Sequence, residues 1–294
     1  MQALVEHIRK GSAPLLPIPT DTNANVRPIA GIRAVLFDVY GTLFVSGSGD
    51  ISLAQNDTNR SQAICDALSS AEYSILKANA PWADLLHEEI QRFRQKRSKE
   101  GIDYPEVCIQ SVWKSFVHNA AHQNWLLPNG QLDAAIVDFE CRVNPCWPMP
   151  HALDVIKALQ QSDFQIGIIS NAQFYTPLLF QALMNATPQA LGFSQDLSIW
   201  SYQQLVGKPS TELYTLAAER LRQRSIFPEQ TLFVGNDMRN DIWPAAQIGF
   251  KTVLFAGDRR SLRLREDHPP SAHTRPDLVL TDLRQLIEAL SMGH

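Results

Sequence analysis

The sequence predicts an α/β fold in which a doubly wound parallel sheet is interrupted near its start by a helical insert. Three observations predict it. Apolar runs without alternation recur at Ala34 to Phe37, Phe164 to Ile169, Leu197 to Trp200, Thr231 to Val234 and Thr252 to Phe255, the mark of strands buried on both faces. From His151 onward these runs alternate with helical periodicities through short connections, which favours parallel pairing. Between about residues 55 and 145 the apolar spacing is helical, with no convincing strand.

Taken in order, the chain opens with a short helical pattern, Leu4, Val5 and Ile8, followed by a stretch rich in Pro, Thr and Asn that favours extended backbone. Residues 1–30 are therefore read as an arm lying on or beside the core. Ala34 to Phe37 is the opening strand. After it, Leu43 to Val45 and Ile51 to Leu53 flank Gly47-Ser48-Gly49-Asp50, which suggests a small hairpin overhanging the strand's end. Four amphipathic segments follow: Ala63 to Leu68, Trp82 to Phe93, Val107 to Phe116 and Leu132 to Phe139. Pro145, Pro148 and Pro150 punctuate the return, giving a core of residues 31–45 and 147–294 and an insert of 46–146. Beyond it, helices are read at Ala152 to Leu159, Phe174 to Met184 and Leu213 to Leu221, with one more ending near Gly249, and Leu278 to Leu280 adds a further strand.

At 294 residues and 45% hydrophobic, the chain can bury a full core, and its length suits one large or two linked domains. A net charge of −4 gives no basic footprint for nucleic acid. Cys65, Cys108, Cys141 and Cys146 form no Cys-x-x-Cys pair, so neither a zinc knuckle nor a disulfide framework is suggested, and a reducing cytoplasm is the simpler expectation. No run approaches the roughly 18 apolar residues of a membrane span. A soluble, cytoplasmic protein is expected; its oligomeric state has no signature here.

The polar residues with chemical potential fall just after the predicted strands, at the end of the sheet where ligands bind in open α/β folds. Phe37-Asp38-Val39-Tyr40-Gly41-Thr42 ends the first strand with a carboxylate, a glycine turn and a hydroxyl; Ser170-Asn171 ends the second with a hydroxyl and an amide. Gly207-Lys208-Pro209 supplies a cation, and Gly235-Asn236-Asp237 with Asp241 supplies an acidic pair. A carboxylate can attack phosphorus or carbon and split one hard step into two. A phosphate approaching it needs positive charge and donors.

In this order the four clusters resemble the motifs of the haloacid dehalogenase superfamily of hydrolases, over residues 31 to 45 and about 147 to 256. The resemblance implies a Rossmann-like core with an all-helical C1-type cap at 46–146, and a small, anionic molecule as substrate. It also implies Asp38 as nucleophile, Lys208 as catalytic cation, and Thr42, Ser170, Asn171 and Lys208 as substrate-binding groups. Mg²⁺ would be held by the Asp38 carboxylate, the Tyr40 backbone carbonyl and a fourth-motif acid, with Asp237 as first choice, Asp241 as ligand or outer partner, and Asn236 as a further donor.

Tyr40 departs from the superfamily's phosphatases, which carry there a second aspartate serving as acid and base. A tyrosine at this position resembles the superfamily's 2-haloacid dehalogenases, which need no metal. Two reactions are thus open: Mg²⁺-dependent phosphohydrolysis through an aspartyl-phosphate, favoured by the acidic fourth motif, and metal-independent dehalogenation through an aspartyl ester. A catalytically weak binding protein is the third alternative.

Each residue also has a plainer use. Lys208 could be a loop lysine, Asp237 and Asp241 helix N-terminal acids, Ser170 and Asn171 a cap, and Tyr40 a packing residue. His118 and His122 have zinc-compatible spacing without an evident third ligand. The runs Arg92 to Lys99 and Arg259 to Arg265 read as solvated faces that could steer an anion.

Overall fold

A computed structural model of the chain describes residues 1–48 and 57–292. Its strands are β1 (Ala34–Phe37), β2 (Phe44–Ser46), β3 (Ser74–Ile75), β4 (Leu126–Leu127), β5 (Cys146–Pro148), β6 (Gln165–Ser170), β7 (Phe193–Trp200), β8 (Thr231–Gly235), β9 (Lys251–Phe255) and β10 (Leu278–Leu280). Its helices are α1 (Gln2–Gly11), α2 (Asp57–Ser70), α3 (Trp82–Lys99), α4 (Ile109–His122), α5 (Leu132–Val143), α6 (Ala152–Gln160), α7 (Thr176–Leu183), α8 (Ser201–Gln204), α9 (Glu212–Arg222), α10 (Trp243–Ile248), α11 (Pro269–Ala272) and α12 (Gln285–Ala289).

Six strands form one parallel sheet in the order β10-β9-β8-β1-β6-β7. The chain leaves β1 toward β6 and β7 on one side and returns to β8, β9 and β10 on the other. That reversal makes β1 the switch point, beyond whose carboxyl end a crevice must open. Phe37 is level with Ile168 and with Val234, so Asp38, Ser170 and Asn236 all emerge there.

All four β1 residues are buried because both faces of the sheet are covered. Val35 and Phe37 point into the larger apolar cluster, Ala34 and Leu36 into the one under α9. The larger cluster runs on without a break into the insert, where Trp82, Trp113, Phe116 and Phe139 stack edge to face or tilted. The insert joins α2, α3, α4 and α5, and differs from the expectation of helices alone in one detail. Ser74–Ile75 and Leu126–Leu127 form a two-residue antiparallel ladder, too short to leave a strand pattern in the sequence.

The expected hairpin after β1 is replaced, on the described residues, by a pairing across the insert. Phe44, Val45 and Ser46 pair antiparallel with Pro148, Trp147 and Cys146, so β2 and β5 form the two-stranded stem through which the insert leaves and rejoins the core. The proposed partner strand, Ile51 to Leu53, lies outside the described residues. Strand β7 begins at Phe193, earlier than its apolar run, because Ser194, Gln195 and Asp196 interrupt the hydrophobic pattern. In the arm, Asn25 pairs with Val279 beside β10, and the Ile29 N–H donates to the Ala289 carbonyl. No described helix is long and apolar enough to cross a membrane.

Candidate active site

Asp38 follows β1 directly, its own N–H donating to the Val234 carbonyl of the neighbouring strand at 2.9 Å. The chain then turns sharply: the Gly41 N–H donates to the Phe44 carbonyl and the Leu43 N–H to the Val39 carbonyl. Gly41 has φ +83°, and a Cβ there would fall 2.4 Å from Ser261 Cβ and 2.7 Å from Asn236 Nδ2, so only glycine fits. The turn is braced from β8: the Thr42 hydroxyl donates to Asn236 Oδ1 at 3.1 Å, and Asn236 Nδ2 donates to the Ser261 carbonyl at 2.6 Å.

Lys208 is the hub. Its Nζ donates at 2.6 Å to Asp38 Oδ1 and at 2.6 Å to Asp241 Oδ1, with all three side chains buried. Asn171 fixes the loop that carries it, accepting the Lys208 N–H at 2.8 Å and donating to its carbonyl at 3.4 Å. Burial works against the Lys208 charge, but the two carboxylates outweigh it and hold its pKa above the ordinary lysine value. The other Asp241 oxygen accepts the N–H groups of Asn236 and Asp237, each at 3.0 Å. Gly235 permits this, since a Cβ there would lie 2.5 Å from the Asp241 carboxyl carbon.

The negative charge exceeds what Lys208 can balance. Burial first, with Asp38 and Asp237 adding to it, lifts the Asp241 carboxyl to about 7 against the pull of Lys208. A pocket of buried carboxylates with surplus negative charge suits a hard cation, which takes oxygen ligands and retains water. Among the described residues no three His, Cys, Asp or Glu side chains form a ready cage, so such an ion would draw on Asp38 and one of the acids Asp237 and Asp241, with main-chain oxygen and water completing its shell.

Several expected site residues also hold the local backbone. Asp237, the first choice of ligand, caps the π-helical turn Met238–Ile242: its Oδ1 accepts the N–H groups of Arg239 and Asn240, and its Oδ2 takes Asn240 Nδ2 and the Arg265 guanidinium at 2.7 Å. Helix-terminal amides and an arginine together claim both oxygens. Asn236 is spent on bracing the nucleophile turn. The Ser170 hydroxyl is fully buried and reaches the Asn171 carbonyl at 3.4 Å.

Tyr40 carries its phenol into a small cavity among α1, α5 and α7, lined also by Glu140, Cys146 and Tyr175. Its hydroxyl shares a 2.8 Å hydrogen bond with Thr176 Oγ1. Burial first, then the neighbouring Cys146 and Glu140, raises its pKa well above that of an ordinary phenol, so it stays protonated. Next to it, Tyr175 hydrogen-bonds Glu140, and Asn144 Nδ2 donates to Glu140 at 3.3 Å. The side chain two residues after the nucleophile thus serves the stem between core and insert.

The insert meets the core over the Lys208 loop, through residues that no motif announced. The Gly207 N–H donates to the Tyr104 carbonyl at 2.8 Å and the Glu106 N–H to the Leu205 carbonyl at 3.1 Å. Gln173, two residues beyond Asn171, receives the Ile109 N–H and donates to the Val107 carbonyl. The Ser201 hydroxyl donates to Glu106 at 2.9 Å. His118 and His122 face each other at 3.1 Å on the exposed side of α4. Of the basic runs, Arg92 pairs with Glu89, Arg97 with Glu100, Arg260 with Asp258 and Arg265 with Asp237.

Comparison with known proteins gives the family and the fold. Residues 32–249 match the family described as haloacid dehalogenase-like hydrolase. Among curated proteins, the phosphoglycolate phosphatase of Escherichia coli is 28% identical over 159 residues, covering 49% of this chain and 52% of that protein. The ribulose-1,5-bisphosphate 5-phosphatase of Halopiger xanaduensis is 26% identical over 145 residues, covering 49% and 56%. The chain thus spans about half the length of the curated relatives it matches. Among solved structures, a 2-haloacid dehalogenase from Pseudomonas syringae superposes with a TM-score of 0.56 at 18% identity, covering 89% of this chain and 99% of that one. A phosphatase from Thermococcus onnurineus superposes at 0.52 and 16% identity, covering 88% and 98%. At these identities the superpositions establish the shared fold.

Proposed function

The chain belongs to the haloacid dehalogenase-like hydrolases, and from that premise we propose that it is a Mg²⁺-dependent phosphohydrolase acting on a small, anionic phosphomonoester. The observation that carries this is the convergence of Asp38 and Asp241 on Lys208 in a pocket where burial first, and then the neighbouring carboxylates, lift Asp241 to about 7. A lone nucleophilic carboxylate needs no second acid beside it; a cation site does. The curated relatives described above are named phosphatases, which supports the same choice.

In this reaction an Asp38 oxygen attacks phosphorus and the bond to the leaving oxygen breaks, giving an aspartyl-phosphate. Water then attacks phosphorus, the bond to Asp38 breaks, and inorganic phosphate leaves with the carboxylate restored. Lys208 neutralises Asp38 and the incoming phosphoryl oxygens, and Asn171 keeps its loop in place. Mg²⁺, which Asp38, the Tyr40 carbonyl and Asp237 or Asp241 would hold, would supply the remaining positive charge. With the Tyr40 phenol turned to Thr176, no carboxyl acid stands at that position to protonate the leaving group. Good leaving groups, such as aryl and acyl phosphates, should therefore turn over faster than alkyl phosphates.

The tyrosine favours a second reaction, 2-haloacid dehalogenation, in which halide departs without a proton. One experiment separates the two: incubate the protein with an aryl phosphate, with and without Mg²⁺ or chelator, and separately with 2-chloropropionate. Phosphate release abolished by chelator and by Asp38→Asn is expected. Chelator-insensitive chloride release would replace phosphohydrolysis with dehalogenation, and the absence of either product would leave a binding role.

A further inference from the structure

Most arginines around the site are committed to acids: Arg265 to Asp237, Arg260 to Asp258 and Arg259 to Asp21. Arg239 is different. It stands on the turn between Asp237 and Asp241, and its main-chain N–H is satisfied by Asp237 Oδ1 at 2.8 Å. Its side chain has no hydrogen-bond partner among the described residues, and its Nε is buried. The guanidinium instead lies 6.0 Å from the centre of the Tyr104 ring. Tyr104 belongs to the insert segment that settles on the Lys208 loop, its carbonyl accepting the Gly207 N–H.

Three independent features thus coincide at the seam between insert and core. The cation is on the same turn as Asp241, which touches Lys208. An aromatic face supports it without occupying its donors. A buried donor is left without an acceptor, which native proteins rarely tolerate unless something binds there. A planar fork of free N–H groups matches a carboxylate or phosphate.

We infer that Arg239 receives a second anionic group of the substrate, a carboxylate or a phosphate, at the end remote from the transferred phosphoryl group. The substrate class is then a phosphomonoester with another anion, and Tyr104 holds the receiving guanidinium in position when the insert is seated. This rests on the phosphohydrolase function proposed above.

The test uses the full chain with Asp38→Asn to stop turnover, Mg²⁺ present, and three ligands titrated by calorimetry. Glycerol 3-phosphate ends in an alcohol; 3-phosphoglycerate has a carboxylate and propane-1,3-diyl bisphosphate a second phosphate. At least one of the two ligands with a second anionic group is expected to bind about 10-fold or more tighter than glycerol 3-phosphate, and the better of the two identifies the anion. Adding Arg239→Gln should bring that preference to within about 2-fold, and Arg239→Lys should restore part of it. Equal binding of the three ligands, no binding of any, a preference that survives Arg239→Gln, or an equal loss on all three would overturn the inference. Phosphate release by the unsubstituted protein is scored separately. Its absence with the binding preference intact sinks the proposed reaction and leaves the role of Arg239 standing.

Discussion

At the scale of single residues, the site is ordered by which carboxylate oxygens are already taken. Asp237 accepts from the Arg239 and Asn240 amides and from Arg265, whereas Asp241 accepts from the Asn236 and Asp237 amides and from Lys208, which it shares with Asp38. Two acids four positions apart therefore serve different cations, although their spacing alone makes them equivalent. Tyr40 shows the same divergence. Its position in the first motif points to chemistry, while its hydroxyl bonds Thr176 and its ring lines a cavity of the stem. Replacing Tyr40 with Phe should cost about 1 kcal/mol of stability through the lost hydrogen bond and change kcat on an aryl phosphate by less than about 3-fold. Chemical denaturation and steady-state rates check both; a 100-fold fall in kcat would return the phenol to the reaction.

At the scale of elements, the strands and the clusters after them were legible because both are local. An unalternating run such as Ala34 to Phe37 announces a strand covered on both sides, and a short motif behind it inherits a place at the carboxyl end of the sheet. What was not legible depends on partners distant in the chain. Strand β2 finds β5 about a hundred residues away, Asp237 finds Arg265 beyond β9, and Tyr104 finds Gly207 across the insert boundary. No periodicity encodes such meetings.

Glu106 is one of these seam residues. Burial, opposed by the Val107 N–H and the Ser201 hydroxyl, raises its carboxyl above the ordinary value of 4.5. The folded protein therefore holds this proton at pH values where the unfolded chain has released it, and the contribution of Glu106 to stability falls as pH rises from about 4.5 through the raised value. Glu106→Gln should remove that fall, so that the stability of the variant relative to the unsubstituted protein rises with pH. Urea midpoints across pH 4 to 8 measure it, and parallel curves for the two proteins would rule out Glu106 as the source.

At the scale of the whole molecule, the question is whether insert and core behave as one body. They share a continuous apolar cluster, and α1 is laid across the join. On one side His7 Nε2 lies 2.7 Å from Asp138 Oδ1 on α5; on the other Arg9 Nε donates to the Ala182 carbonyl on α7 at 3.2 Å. Val5 and Ile8, each 1% exposed, fill the space between, and Ile8 also lines the cavity that holds the Tyr40 ring. Burial in one shared core couples the two parts more firmly than the two short strands of the stem could. Unfolding should therefore be a single transition, with tryptophan fluorescence, which samples Trp82, Trp113 and Trp125 of the insert as well as Trp147, Trp200 and Trp243 of the core, tracking far-ultraviolet circular dichroism. Ile8→Ala tests the coupling directly. It opens a cavity at the join and should lower stability by about 2–5 kcal/mol. If α1 only decorates a core that is already closed, the two signals will still coincide at a lower urea midpoint. If α1 is what unites insert and core, they will separate, with the fluorescence change coming first as the three insert tryptophans lose their packing.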